Sequence, residues 1–156
     1  MSEILISGSG IFTPDESISN EELVESFNRY VERFNQEHRK EIASGQIVPL
    51  EKSDPDYIVQ VSGIRSRFVL NKSDILNPAI LFPNTEEYTD NGISLQAEIG
   101  QHAARMALIE ARKTPEEIDA VLVACTQVQR AYPAIAIEIQ HLLGSKGFAF
   151  DLQVAC

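Results

Sequence analysis

The sequence lacks the features that mark secreted and membrane proteins. It has only two cysteines in 156 residues, far apart and with no pairing pattern, which indicates a reducing compartment rather than a disulfide scaffold. No apolar run approaches the roughly 18 residues that a membrane-spanning helix needs. The N-terminus has neither the basic region nor the apolar core of a signal peptide. We therefore expect a cytoplasmic protein without a membrane span.

Positive charge is also scarce. The sequence contains 13 Lys and Arg against 23 Asp and Glu, giving a formal net charge of −10. Contacts to phosphates need a basic face, so this balance argues against a general nucleic-acid binder. It still allows an acidic partner that docks on a local basic patch. Hydrophobic residues make up 44% of the chain, which with this length suffices for one domain with a core.

Strand-like and helix-like segments alternate along the chain. Capping boxes at Ser19 and Thr114 predict two helix starts. Apolar periodicity predicts helices over 20–38, 94–112 and 133–143, and strands over 3–12, 64–70, 118–125 and 147–152. This order predicts an α/β layered domain with a largely parallel sheet.

The same patterns predict which surfaces are buried. The β-branched run 118–125 predicts a central strand covered on both faces. On the helix over 94–112, spacing predicts one inward face, formed by Leu95, Ile99, Ala103, Met106, Ala107 and Ile109. Gly8 and Gly10 do not complete a dinucleotide-binding loop, because position 13 is Thr. They predict a close approach of two backbone segments instead.

Two segments follow predicted strands, at the sheet edge where α/β proteins carry their reactive groups. One contains Thr126 and the other ends on Cys156. A helix N-terminus after such a strand stabilises a thiolate, which predicts a nucleophile at Cys156. The alternative is a buried, inert core cysteine. The histidines show no metal-ligand spacing with the cysteines, so we predict no metal site.

Two arginines, Arg65 and Arg67, alternate with other residues in the predicted strand 64–70. Alternation places both on one face of the strand. One interpretation is a solvated edge, because surface charge is usually solvated. The other is an anion-facing surface. The spacing leaves both interpretations open.

Several stretches together resemble the N-terminal half of β-ketoacyl-acyl-carrier-protein synthase III, a condensing enzyme of the thiolase superfamily. The most specific are Gly-Ile-Arg-x-Arg at 63–67 and the ending from Phe150-Asp151 to Ala155-Cys156. The other matching stretches follow the family's order, at 6–14, 19–23, 114–124, 132–133 and 139–144. The resemblance implies an α/β, thiolase-like layered fold, a mixed sheet packed with helices. Residues 1–156 would hold only its N-terminal part, with insertions at about 29–50 and 71–91 and without the C-terminal half.

The resemblance also implies a reaction, the decarboxylative Claisen condensation of fatty-acid or related biosynthesis. Cys156 matches the family's nucleophile, which takes an acyl group as a thioester from acyl-CoA or acyl carrier protein. Malonyl-acyl carrier protein then loses CO2 and attacks that thioester. The expected substrate-binding residues are Tyr57, Arg65, Thr126 and Tyr132. The resemblance implies no cofactor besides these substrates, and it implies a homodimer.

The sequence departs from the family at two of these four residues, Tyr57 and Tyr132, and also at Val61. Tyr57 replaces a Trp that stacks on the adenine of CoA, and Val61 replaces an Arg four residues later. The aromatic contact is thus retained and a cationic contact is lost. Tyr132 replaces a Phe that reaches across the family's dimer into the partner's acyl pocket.

The family's catalytic His and Asn lie in the C-terminal half, so we expect residues 1–156 to be inactive without it. Two other functions fit the same residues. One is a thiolase-fold relative that condenses other acyl thioesters in secondary metabolism. The other is a non-catalytic subunit that stabilises a homologous partner.

Overall fold

The computed structural model describes residues 4–80 and 92–153. The chain divides into two compact units: a first unit, Thr13–Asn84, and a second unit that combines Met1–Phe12 with Thr85–Cys156. Residues 81–91 of the predicted insertion at 71–91 lie outside the described residues, as does Cys156. Within the described ranges, no helix is long and apolar enough to cross a bilayer.

The first unit joins a short antiparallel strand pair to a long helix. Its elements are β1 (Glu16–Ser19), α1 (Asn20–Glu37), α2 (Arg39–Ala43), α3 (Pro55–Ser62), β2 (Ser66–Val69) and α4 (Lys72–Ile75). The predicted helix over 20–38 is confirmed with its capping box. The Ser19 hydroxyl accepts from the Glu22 N–H at 3.2 Å, and the Glu22 carboxylate accepts from the Ser19 N–H at 3.0 Å.

Asn20, at the start of α1, joins this helix to the segment that leads into β2. Its side chain is 1% exposed. The side-chain amide donates to the carbonyl of Ile64 at 2.7 Å, and the side-chain oxygen accepts from Arg67 at 2.8 Å. The backbone N–H of Asn20 donates to the carbonyl of Arg65 at 3.2 Å. Arg67 is therefore a structural residue, because its guanidinium satisfies a buried amide oxygen.

Two asparagines on α1 hold the segment between α2 and α3. The Asn35 side chain both donates to and accepts from the backbone of Leu50, each at 2.9 Å. Asn28 makes the same pair of bonds with Ser53, at 3.1 and 2.9 Å. Seven helical residues and three extended residues both span about 10 Å, so the two pairs match in spacing. Much of the predicted insertion at 29–50 is thus α1, α2 and a segment fixed against α1.

The second unit is a parallel β–α–β arrangement beside a long helix. It contains α5 (Leu95–Ala111), a 3-10 turn (Pro115–Glu117), β3 (Ala120–Cys125), α6 (Ile135–Leu143) and β4 (Phe148–Gln153). β3 and β4 pair in parallel, from Ala120 opposite Phe148 to Cys125 opposite Gln153. The sequence predicts a largely parallel sheet for the chain, and the β3–β4 pair agrees with that prediction. Because β1 and β2 are antiparallel, strand pairing in the described chain is mixed.

The prediction of the buried face of α5 is partly wrong. Met106 and Ile109 are 50% and 78% exposed. The core is instead formed by Ala97 with Ile135, Ile139 and Leu143, and Ala104 and Leu108 of α5 pack against it. Alanines and aliphatic residues occur around most of α5, so apolar spacing did not single out the face that meets α6 and β3.

The prediction that β3 is covered on both faces is also wrong for the described residues. Val121, Val123 and Cys125 pack against the core, whereas Leu122 is 55% exposed. The register places Leu122 opposite Phe150, which is 43% exposed. One sheet face is therefore apolar and open, formed by Ala120, Leu122, Ala124, Phe148, Phe150 and Leu152.

The N-terminal segment does not form the strand predicted over 3–12. Residues 4–12 have no regular secondary structure, and Ile4 is fully exposed. The close approach predicted from the two glycines is confirmed. A Cβ on Gly8 would lie 2.8 Å from the backbone N of Ala111, and one on Gly10 would lie 2.7 Å from that of Ala107. Only a residue without a side chain fits there.

The glycine contact makes a stability prediction. Gly10→Ala is expected to lower the free energy of unfolding by about 1–3 kcal/mol, because the added methyl group overpacks the α5 backbone. Urea denaturation measures the loss. The neighbouring change Ile11→Ala, at a residue that is 71% exposed, is expected to alter stability by less than about 0.5 kcal/mol. Equal stability of Gly10→Ala and the wild-type protein would contradict this packing.

Ser9, between the two glycines, makes a pH-dependent contact with α5. Its backbone N–H and then its hydroxyl, at 2.6 and 2.9 Å, hold the pKa of Glu110 below the usual 4.5. A lowered pKa in the folded state stabilises the protein above pH 4.5, and this contribution is lost as the pH falls through the lowered value. Ser9→Ala is expected to raise the pKa of Glu110, measured by NMR titration. Ser7→Ala should leave it unchanged. Because Ser9→Ala retains the backbone N–H, equal values in both variants would refute the contribution of the Ser9 hydroxyl.

Candidate functional site

The candidate site begins at the edge where the parallel strands end. Cys125 and Gln153 are paired there, so β3 and β4 end level with each other. Thr126 follows β3 and is exposed. Cys156, the predicted nucleophile, follows Gln153 by three positions in the sequence and lies outside the described residues. Its chemistry therefore stays a prediction.

The loop at 126–134 leaves this edge and leads to α6. It carries Tyr132, which is 87% exposed. Two preceding side chains fasten the loop to the start of α5. The side-chain oxygen of Gln129 accepts from the N–H of Leu95 at 3.0 Å, and Arg130 donates to the carbonyl of Gly92 at 2.5 Å. Thr126 and Tyr132 thus belong to one loop whose middle is anchored.

A buried carboxylate completes the anchor. Glu138 on α6 is 3% exposed and forms an ion pair with Arg130. Its oxygens also accept from the N–H and the hydroxyl of Ser94, at 3.1 and 2.5 Å. Sequence reasoning missed this cluster. The available signal was a Glu among the inward positions of an apolar helix, because a buried charge requires a partner.

Asp151 fixes the position of α6 from the neighbouring strand. One carboxylate oxygen accepts from the N–H of Ile135 at 2.8 Å and the other from that of Ala136 at 2.7 Å. Ala134, the residue before α6, supplies no side-chain cap, so a carboxylate from β4 satisfies the first N–H groups of the helix. The sequence signal for this role was an acidic residue within an otherwise apolar strand.

The first unit holds the other two predicted site residues, Tyr57 and Arg65. Tyr57 and Val61 lie four positions apart on α3, which places them on one helix face, and they are 61% and 62% exposed. Asp54 caps this helix by accepting from the N–H groups of Asp56 and Tyr57. Arg65 follows α3 and is exposed, whereas Arg67 is bonded to Asn20. The solvated and anion-facing interpretations both stay open for Arg65.

Two of the three histidines make ring contacts with phenylalanines. His38 stacks on Phe34 at a ring-centroid distance of 4.2 Å, and the ring of His102 lies 5.8 Å from that of Phe12. Across residues 4–80 and 92–153, no three His, Cys, Asp or Glu side chains are grouped so that they could hold a metal ion.

Comparison with curated proteins finds similarity to acyl-carrier-protein synthases. It is 44% identical over 133 residues to the β-ketodecanoyl-[acyl-carrier-protein] synthase of Pseudomonas aeruginosa, covering 85% of this chain and 38% of that protein. It is 32% identical over 119 residues to the β-ketoacyl-[acyl-carrier-protein] synthase III of Bartonella henselae, covering 76% and 31%. The chain thus spans about a third of the length of these relatives. No protein-family model matches it.

Solved structures show the same fold. The 3-oxoacyl-[acyl-carrier-protein] synthase III of Aquifex aeolicus superposes with a TM-score of 0.63 at 22% identity, over 97% of this chain and 35% of that one. The priming β-ketosynthase of the R1128 polyketide pathway gives 0.63 at 24%, over 97% and 32%. OleA of Xanthomonas campestris gives 0.60 at 17%, over 94% and 34%. The predicted thiolase-like fold, of which this chain holds the N-terminal part, is confirmed.

The cap on α6 is testable. Asp151→Ala is expected to lower the free energy of unfolding by about 1–2 kcal/mol, because two N–H groups lose their acceptor. Asp151→Asn retains one acceptor oxygen and should lose less. Thermal and urea unfolding measure both changes. Equal losses in the two variants would show that the carboxylate does not act as the cap.

Proposed function

Because the chain is a relative of the β-ketoacyl-[acyl-carrier-protein] synthase III enzymes in sequence and fold, we propose that it is the nucleophile-bearing part of such a condensing enzyme. The observation that carries the proposal is the 44% identity to the Pseudomonas aeruginosa synthase over 85% of the chain. The β3–α6–β4 arrangement supports it, because β4 ends at the sheet edge where α/β proteins carry reactive groups, three positions before Cys156 in the sequence.

The proposed reaction has two halves. The Cys156 thiolate attacks the carbonyl carbon of an acyl thioester, and the donor leaves as a thiol. Malonyl-acyl carrier protein then loses CO2, and the carbanion formed attacks the acyl-cysteine thioester. A new C–C bond forms, the C–S bond to Cys156 breaks, and β-ketoacyl-acyl carrier protein is released. A low-pKa thiol suits both roles, because the thiolate is a strong nucleophile and a good leaving group.

We propose that the acyl group is of medium length. The Pseudomonas aeruginosa relative is named for a β-ketodecanoyl product, which has ten carbons. Malonyl-acyl carrier protein contributes two of them after decarboxylation, so the acyl group on the cysteine would have eight. The 44% identity supports the same preference in this protein.

The predicted binding residues keep their proposed roles. Tyr57 and Val61 offer an exposed, uncharged face on α3 that can stack on a flat ring system but supplies no cation for phosphate. An acyl-carrier-protein donor is therefore as consistent with this face as acyl-CoA. Arg65, which is exposed, would meet anionic groups of the donor. Thr126 would line the acyl site, and Tyr132, from the same loop, would reach the acyl pocket of the partner subunit in the proposed homodimer.

We propose a homodimer that acts in the cytoplasm, as the resemblance implies. The support is the family relationship, together with the absence of a helix that could cross a bilayer in residues 4–80 and 92–153. The acyl carrier protein is the proposed macromolecular partner, as donor of the malonyl group. The full-length protein would supply the His and Asn that assist decarboxylation in the family.

Two other functions give different results in the same assay. A thiolase-fold relative in secondary metabolism would take the acyl group but prefer another extender unit. The polyketide ketosynthase and OleA share the fold, but at 17–24% identity they favour this function less than the 44% match favours the first. A non-catalytic subunit would take no acyl group.

Cys156→Ser is expected to lower the rate of condensation by about 10³-fold or more, because a serine hydroxyl is far less ionised than a thiol. Intact mass of the full-length protein, after incubation with acyl-CoA and acyl-carrier-protein donors of two to twelve carbons, measures the first half-reaction. One acyl mass should map to Cys156, with the eight-carbon donor most efficient.

Cys125 is the internal control, because an acyl mass on that residue would indicate non-specific thiol exchange. A Cys156→Ser protein that condenses at the wild-type rate would overturn the assignment. Acylation without a malonyl-dependent product would favour the relative with another extender unit. No acylation by any donor would favour the non-catalytic subunit.

A further inference from the structure

The anchor of the loop at 126–134 is more elaborate than the packing of α6 requires. Asp151 already caps α6, and Ile135, Ile139 and Leu143 already bury its apolar face. Glu138 adds a 3%-exposed carboxylate to that face. Burying a charge is costly unless it is paired, so this residue is better explained by what it holds than by the stability of the helix.

Everything that Glu138 binds belongs to the loop or to the start of α5. Its partners are the Arg130 guanidinium and the N–H and hydroxyl groups of Ser94. Ser94 also caps α5 by accepting from the N–H of Ala97 at 3.2 Å. Arg130 extends the network to the carbonyl of Gly92. The carboxylate thus lies between a helix cap and a loop side chain, and it fixes one relative to the other.

Arginine suits this purpose because its guanidinium is planar and always charged, and one of its NH2 groups here donates to both acceptors. This NH2 group of Arg130 donates to the Glu138 carboxylate and to the Gly92 carbonyl. The loop backbone at residue 130 therefore has little freedom. Gln129 adds a second tie, to Leu95. Tyr132 comes two residues later and is 87% exposed. Its backbone position is therefore set by its neighbours rather than by burial of its own ring.

We propose that the Arg130–Glu138 pair positions Tyr132, and through it sets how long an acyl chain the enzyme accepts. This inference rests on the proposed function, in which Tyr132 reaches the acyl pocket of the partner subunit in the proposed homodimer. Arg130 and Glu138 are positioning residues and do not touch the substrate. When the pair is broken, the loop gains freedom, and binding of the preferred acyl donor is weakened more than the chemical step.

The test uses Glu138→Gln in the full-length protein. Glutamine keeps the size of the side chain and can still accept from Ser94, but it removes the charge that holds Arg130. Amide hydrogen exchange over 126–134 is expected to become about 10-fold faster, while peptides from 101–111 of α5 keep their protection. KM for the preferred acyl donor is expected to rise about 5- to 10-fold, with kcat changed less than about 2-fold.

A conservative variant and a matched control accompany it. Arg130→Lys keeps the charge, but its compact ammonium group lies on a shorter side chain and reaches the two acceptors less well. Its loop exchange and KM should therefore fall between those of the wild-type protein and Glu138→Gln. Lys113→Met removes an exposed ion pair with Glu117, at 2.6 Å, before the other end of β3. It should change neither quantity.

The outcomes separate this inference from the proposed function. Faster exchange confined to the loop, together with a KM effect that depends on chain length, supports the positioning role. Loop exchange equal to that of the wild-type protein overturns it, and so does an increase spread over the whole second unit, which would show general support of the fold. If the wild-type protein transfers no acyl group, the proposed function and the acyl part of this inference fail together, while the exchange data still decide whether the pair orders the loop.

Discussion

The second unit depends on the contact between the Asp151 carboxylate and the first turn of α6. A parallel strand pair needs a crossover helix, and the start of that helix presents N–H groups without partners. A carboxylate from the adjacent strand supplies the acceptors, so the sheet and its crossover are joined by polar bonds as well as by packing. The strand that carries this carboxylate is also the one that leads to the proposed nucleophile. The fold and the proposed chemistry thus depend on one element.

The loop after β3 shows a different use of charge. Its central arginine points inward to a buried glutamate, while a tyrosine two residues later stays in solvent. Buried ion pairs contribute little net stability, because desolvation offsets most of the attraction. Their geometry is nevertheless well defined, which suits a loop whose exposed side chain needs a fixed place. The arrangement separates the residues that hold the loop from the residue that would meet an acyl chain.

Much of this structure could be predicted from the sequence where local signals agreed. The capping box at Ser19, the apolar periodicity over 133–143 and the strand-like run before Cys156 each predicted an element that the structure confirms. Burial was harder to predict. Met106, Ile109 and Leu122 are apolar yet exposed, because periodicity shows which residues share a face but not which face another element covers. Glu138 and Asp151 were missed because their partners are distant in sequence or are backbone groups. The family resemblance supplied Cys156 and the binding residues, which no local pattern identifies with equal specificity.

The two asparagine clamps on α1 have a consequence for how this protein can change in length. Asn28 and Asn35 are two helical turns apart, and their backbone partners Ser53 and Leu50 are three extended residues apart. One residue added or deleted between 50 and 53 would shift the chain by about 3.4 Å and break one clamp. The turn at 44–49 lies within the loop that the Asn35–Leu50 clamp closes, and not between the two clamps. Length variation among relatives is therefore expected to accumulate in that turn and to spare the clamped stretch.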